Sequence, residues 1–228
     1  MTLDPKSPAH HPAHHPDEAL LLDYAAGSLD EPTSLVIATH LALCPDCRRV
    51  VAGHEAVGGV LLEETAPVEP AAGALAALMT LLDEPAAPPP VDASPIPSAP
   101  ILPRPLRDYV GGDLGAVPWR KLISGIDVHD IVVGSAPNRF KTRLMRIKGG
   151  VAVPRHTHEG FELVMVVEGG FSDGGRHYDR GDVTCSDGEV DHSPVADADG
   201  GCVCLAVTDA PLRLTGPLMR LLNPFVKF

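Results

Sequence analysis

Gly150-Val-Ala-Val-Pro-Arg-His156-Thr-His158-Glu-Gly-Phe-Glu162-Leu-Val-Met-Val-Val-Glu-Gly169 is the stretch that decides the fold of the C-terminal half. Side chains alternate along an extended strand with period two, so His156 and His158 face the same side. Glu162, four residues beyond His158, opens the next apolar extended run and can turn to that same interior. A third histidine, His192, follows Gly181-Asp182 and the loop at 186–191, and so arrives from a later hairpin. Three imidazoles and one carboxylate converging on one point suit Zn, Mn, Fe or Ni, and the donor set alone does not choose among them. His156, His158, Glu162 and His192 are therefore candidate ligands for Zn2+ or another divalent transition metal.

Working outward from this stretch, residues from about 106 onward form short β-branched runs punctuated by glycine. Strands are expected at 131–134, 140–147, 162–167, 183–185 and 202–208, with turns at Gly149-Gly150, Gly169-Gly170, Gly174-Gly175 and Gly200-Gly201. Short strands at such spacing predict an antiparallel β-barrel or jelly roll. The spacing Gly150-x5-His156-x-His158-x3-Glu162-x6-Gly169 resembles the first motif of the cupin family throughout. For the second motif Gly181 and His192 stand in place. Asp187 replaces its proline, Glu189 its glycine and Ala196 its asparagine. The resemblance implies a cupin barrel at 106–228.

Upstream, residues 85–105 are dense in proline and carry few charges. Proline lacks a backbone donor, so this stretch reads as an extended linker between two domains. Before it, the pattern is helical. Acids followed by Leu20–Leu22 and ending at Gly27 predict one helix, and Asp30-Glu-Pro32 caps a second that runs to about Leu43. Pro45 opens a third helix, and Leu75, Leu78, Met79, Leu81 and Leu82 mark a fourth at 73–84. Residues 1–84 thus read as a small all-α helical bundle.

His40 lies one helical turn before Cys44, and Cys47 one turn after it, so all three side chains can converge. Both thiols sit at a helix N-terminus, where the dipole favours the thiolate that zinc requires. Tetrahedral Zn2+ needs a fourth ligand. His10, His11, His14 and His15 compete for that place, and His15 is preferred because it directly precedes the first helix. A redox role for the Cys-x2-Cys pair would need a βαβ context that is missing.

These residues resemble the zinc-binding anti-sigma domain of bacteria, marked by His-x3-Cys-x2-Cys with a further histidine upstream. His15, His40, Cys44 and Cys47 fall on its four positions. An anti-sigma-like zinc bundle followed by a cupin is similar to the ChrR-type anti-sigma factors over nearly the whole chain. That resemblance implies a 1:1 partner, an extracytoplasmic-function sigma factor, held away from RNA polymerase by the N-terminal domain. It implies release through the cupin domain when singlet oxygen or a related oxidant appears. Cys202-x-Cys204 stands where ChrR-type proteins carry a similar pair, and it reads equally as small core residues on one strand face.

Composition agrees with a protein-binding role. The net charge of −12, with 18 basic against 30 acidic residues, does not supply the clustered cations that phosphate binding needs. It suits a basic protein partner. Signal peptide and membrane span are both absent from the pattern. Five cysteines, an odd number, favour a reducing compartment, so a cytoplasmic protein is expected. A general acid or base beside a substrate pocket is not visible, so no enzyme activity and no small-molecule substrate is expected. The rival readings are a dioxygenase-like cupin metalloenzyme fused to a zinc-binding interaction domain, and a metal-buffering protein using the His-rich arm.

Overall fold

Helix α1 (Glu18–Ala25) begins where Asp17 accepts the Leu20 amide, and α2 (Glu31–Leu43) where Asp30 accepts the Thr33 amide. These caps satisfy amides that a helix start leaves without partners. Cys44 ends α2 and caps α3 (Pro45–Glu63), and α4 (Ala74–Leu82) follows. These elements belong to a computed structural model that describes residues 11–82, 100–134 and 140–216. His10 and most of the proline-rich stretch lie outside the described residues.

A fifth helix, α5 (Arg104–Val110), was not expected; it follows Pro103, carries Pro105 in its first turn and stops at Gly111. At seven residues, and next to the proline run, it carries too little periodicity to be read from sequence. After a one-turn 3-10 helix (Leu114–Ala116), the described residues form ten strands. They are β1 (Arg120–Ile123), β2 (Ile126–Ile131), β3 (Lys141–Ile147), β4 (His156–His158), β5 (Glu162–Asp173), β6 (Arg176–Asp179), β7 (Val183–Ser186), β8 (Val195–Ala196), β9 (Cys202–Thr208) and β10 (Leu212–Leu214). The large antiparallel sheet runs β1-β2-β3-β9-β5-β6, with β7 and β8 also on β5, and β10 pairs with β4. Strand β5 is long enough to serve both faces of the barrel. It pairs with β7 and β9 through its first half and with β6 and β8 through its second. Gly169 sits at the change-over with φ +69, where a Cβ would fall 2.0 Å from the Gly201 carbonyl oxygen. Only glycine fits there.

The two halves share a core. Val36 and its neighbour Ile37 on α2, about 100° apart around the helix, are both fully buried, each in a different core. Leu35 and Val36 pack with Leu102 and Leu106 and with barrel residues Leu144, Leu163, Met165 and Leu205. Ile37 and Leu41 pack instead with Leu21, Cys44, Cys47 and Val51. A helix buried on both sides loses the one-sided apolar stripe of a surface helix. Each fully buried Leu or Val contributes about 1.5–3 kcal/mol, so α2 is fastened to the barrel as firmly as to its own bundle. The sequence reading, two domains joined by an extended linker, did not include this docking. It arises from contacts far apart in the chain.

The distal half of α3 and all of α4 differ from the rest. Val57, Val60, Leu61, Leu62, Leu75, Leu78, Met79, Leu81 and Leu82 are each more than half exposed.

Candidate metal centres

In the helical half, one donor atom each from His15, His40, Cys44 and Cys47 lies within 4.8 Å of all the others. His15 Nδ1 stands 3.5 Å from Cys44 Sγ and 3.4 Å from Cys47 Sγ. A tetrahedral zinc, with Zn–S near 2.3 Å and Zn–N near 2.0 Å, sets neighbouring S and N about 3.5 Å apart. His40 is fully buried; its Nδ1–H donates to the Gly181 carbonyl at 2.7 Å. That fixes the tautomer and leaves Nε2 as a lone pair inside the cluster, buried and without a hydrogen-bond partner. An orphaned nitrogen aimed at two thiols fits a zinc ion. Of the described competitors, His14 turns its ring to Asp182 and His11 lies outside the cluster, so His15 is the one brought to the thiols.

The helix N-terminus does not decide the protonation of Cys47, contrary to the dipole argument. Burial and the hydrogen bond with Cys44 push the Cys47 thiol up to about 12. Without a cation Cys47 stays protonated, and a metal has to displace its proton. Burial also holds His40 below the ordinary histidine value, which keeps it neutral.

The second cluster forms at one mouth of the barrel. His156 and His158 lie on β4, Glu162 opens β5, and His192 comes from the loop before β8, with backbone bonds to His156 in both directions. Each imidazole is held by its outer nitrogen. His156 Nδ1–H donates to the Pro154 carbonyl at 2.8 Å and His158 Nδ1–H to the Asp187 carbonyl at 3.2 Å. His192 Nδ1–H donates to the Asp173 carboxylate at 2.6 Å. All three Nε2 atoms therefore face inward, the arrangement that metal-ligating histidines show. The Nε2 atoms of His156 and His192 are 3.1 Å apart, and His158 Nε2 lies 3.1 Å from Glu162 Oε2. Two ring nitrogens that close need a proton or a cation between them. Metal–nitrogen bonds of about 2.1 Å put neighbouring donors about 3.0–3.4 Å apart, which these residues match.

Burial raises and the imidazoles lower the Glu162 carboxyl; the imidazoles, His158 first, prevail, and the group is held below the ordinary carboxylate value. Burial opposes a proton on His158, but the bond and charge of Glu162 outweigh it and move that histidine upward. His156 is shifted down, chiefly by burial. A cavity of about 40 Å³ adjoins the site, lined mainly by apolar side chains with His156, Glu162 and Arg143.

Some functional neighbours gave no sequence signal. Asp173 and the carbonyls of Pro154 and Asp187 orient the imidazoles but belong to no motif. A further group, His177, Asp179 and Asp197, lies on the surface as a set of ion pairs, with the His177 ring nitrogens turned to Asp179 and to Ser172 and Asp197. Cys202 and Cys204 are buried on β9. The bond with Cys202, together with burial, holds the Cys204 thiol well above its usual value, so it is a protonated core residue.

Comparison with known proteins follows the same division. A zinc-finger family model matches residues 18–48, and the ChrR cupin-like domain matches residues 108–211. The anti-sigma-E factor ChrR of Cereibacter sphaeroides is 44% identical over 214 residues, covering 94% of this chain and 98% of that protein. The chain belongs to the ChrR family of anti-sigma factors. The crystal structure of Rhodobacter sphaeroides SigE in complex with the anti-sigma ChrR holds a chain that matches with 44% identity and a TM-score of 0.72. The match covers 86% of the present chain and 98% of that one. Helices precede an antiparallel cupin barrel, in the order of the two matched family models. Among the described residues, no helix is long and apolar enough to cross a membrane.

Proposed function

We propose that this ChrR-family protein binds and inhibits an extracytoplasmic-function sigma factor in the cytoplasm, and releases it in response to an oxidant. The observation that carries this reading is the apolar surface of the distal part of α3 and of α4, from Val57 to Leu82. Exposed apolar side chains repeated along two helices in this way mark a partner surface, because water contact with them is unfavourable. The acidic chain around them, at net charge −12, would assist a basic partner's approach. His15, His40, Cys44 and Cys47 would hold Zn2+, whose four bonds tie the arm, α2 and α3 into one unit. That fixes where the apolar helices project.

His156, His158, Glu162 and His192 would hold zinc or another divalent transition metal, and this barrel site is the proposed place where the oxidant is sensed. Its Cys204 thiol is buried and protonated and so a poor nucleophile, which favours the metal ligands over it as the reacting groups. A catalytic role is disfavoured: about 40 Å³ beside the site admits a water or a diatomic molecule, whereas small-molecule pockets run to hundreds of Å³.

The test is co-purification with the sigma factor. Leu61→Asp combined with Leu78→Asp is expected to weaken binding by about 100-fold or more, the loss of two interface anchors, while both metal contents stay unchanged. If that variant binds and inhibits as the parent does, the surface assignment fails. If His156→Ala protein still releases the sigma factor normally under oxidant, the sensing assignment fails.

A further inference from the structure

The turn between β6 and β7 touches both modules at once. Asp182 there is 2% exposed, and each of its carboxylate oxygens is used. Oδ1 accepts the amides of Ala13 at 2.6 Å and His14 at 3.0 Å. Oδ2 accepts the Asp179 amide at 3.0 Å and faces His14 Nδ1 at 3.0 Å. The next residue continues the contact, since the Val183 amide donates to the His14 carbonyl at 3.0 Å. The His14 ring packs against Tyr178 in a tilted arrangement, centroid to centroid 4.5 Å. The residue before Asp182 completes the set: the Gly181 carbonyl accepts His40 Nδ1–H.

Gly181 itself has φ +96, and a Cβ there would meet Pro12 Cγ at 2.7 Å. Glycine is needed both for the backbone angle and for the approach of the arm. The turn is bolted to the barrel at β5, through Gly181 N to the Val166 carbonyl at 2.8 Å and Val166 N to the Asp182 carbonyl at 3.0 Å. Glu162 of the barrel centre opens that same strand.

We infer that Gly181 and Asp182 are positioning residues of the zinc site. The barrel holds His40 directly and holds His15 by clamping the arm that carries it. This rests on the reading that His15, His40, Cys44 and Cys47 bind zinc. His15 is on an arm outside any helix, so without the clamp its ordering would have to be paid by the metal. Orienting partners of metal ligands typically account for about 10–100-fold in affinity. Linkage makes the effect reciprocal: metal in the helical half tightens the arm on the barrel by the same factor. Zinc is therefore the bond that closes the two modules on each other, beyond being a staple within the helices.

The experiment uses the full chain titrated with Co2+. Only a cysteine-ligated ion gives a thiolate-to-cobalt charge-transfer band, so the band reads the helical site separately from the barrel. Asp182→Ala and His14→Ala are each expected to weaken that site by about 10–100-fold. Asp182→Asn, which keeps one oxygen for the two arm amides, should recover part of the loss. Urea unfolding of His14→Ala, followed by the single tryptophan Trp119, should match the parent. Because Asp182→Ala removes a turn contact inside the barrel, His14→Ala decides. If the parent shows the band and His14→Ala binds Co2+ with parental affinity, the inference is overturned. If the parent itself shows no thiolate band, the zinc reading fails and the inference fails with it. Amide exchange gives the reciprocal result: chelation should expose the Val183 amide while the β3–β9–β5 ladder stays protected, and unchanged Val183 protection overturns the linkage.

Discussion

The two donor clusters contain four residues each, yet they are built on opposite plans. At the barrel mouth every ligand stands on or beside a strand, and each imidazole has its outer nitrogen occupied by a carbonyl or carboxylate. In the helical half three ligands are buried but His15 is exposed and belongs to an arm. That cluster has no charge partner for its thiols, whereas the barrel cluster pairs His158 with Glu162. A site of the first plan is preformed and keeps its shape when empty. A site of the second plan is completed by the ion, so metal and fold are one equilibrium. The difference suits a molecule in which one centre responds to a signal and the other sets the geometry of a partner surface.

The largest test of this contrast is ligand loss. Cys47→Ala should lower zinc affinity by more than about 100-fold and melt α1 and the start of α3, seen as lost helical circular dichroism and lost amide protection. His158→Ala should empty the barrel of metal while the strand amides remain protected. Collapse of the barrel in the second variant would show that its site is not preformed.

Acid should separate the two centres next. Zinc displaces a proton from Cys47, whose metal-free value is raised to about 12, so falling pH weakens its binding by up to about tenfold per unit. In the barrel the carboxyl groups of Glu162, Asp113, Asp130 and Asp182 are all lowered. For each, burial acts upward and is overcome by hydrogen bonds or positive neighbours. Their stabilising contribution is present above the ordinary values of 3.8 to 4.5 and is lost as pH falls through the lowered ones. Zinc release, read by a chromogenic chelator, should therefore precede barrel unfolding, read by Trp119 fluorescence, as the pH is lowered. Coincident transitions would contradict the contrast.

Asp173→Asn is a finer probe. It removes the carboxylate that orients His192 and should weaken barrel metal binding by about 10–100-fold, with the cobalt–thiolate band unchanged. The smallest effect belongs to the cap of α2. Asp30→Ala deletes the acceptor of the Thr33 amide and should cost about 1 kcal/mol in urea unfolding. Because α2 belongs to both cores, that loss should appear in the helical and the barrel transitions alike, rather than in one.

Ligand positions were legible in the sequence wherever local periodicity determined them. His40, Cys44 and Cys47 are spaced by helical turns, and His156 and His158 by the strand repeat, so no tertiary knowledge was required. His192 was legible because Gly181 and the intervening loop announce a hairpin. The starts of α1 to α4 were also read to within a residue, the first three because caps and prolines mark them. The short strands β1, β6, β8 and β10, of two to four residues, escaped because so few residues show no alternation, and the strand expected at 131–134 instead ends at Ile131, as β2. Asp182 and Asp173 escaped for a different reason. A lone aspartate in a turn looks the same whether it caps its own loop or grips a segment 168 residues away. The burial of α2 on two sides was hidden likewise, because an all-round apolar helix does not say what surrounds it.

That double burial has a consequence for anyone dividing the gene. A cut within the proline-rich stretch leaves Leu35 and Val36 uncovered on one product and their barrel seats, Leu102 and Leu163 among them, uncovered on the other. The two products should then seek each other. Made as separate chains in one cell, they should reassemble through the same seam, as a split protein whose halves report on their own reunion.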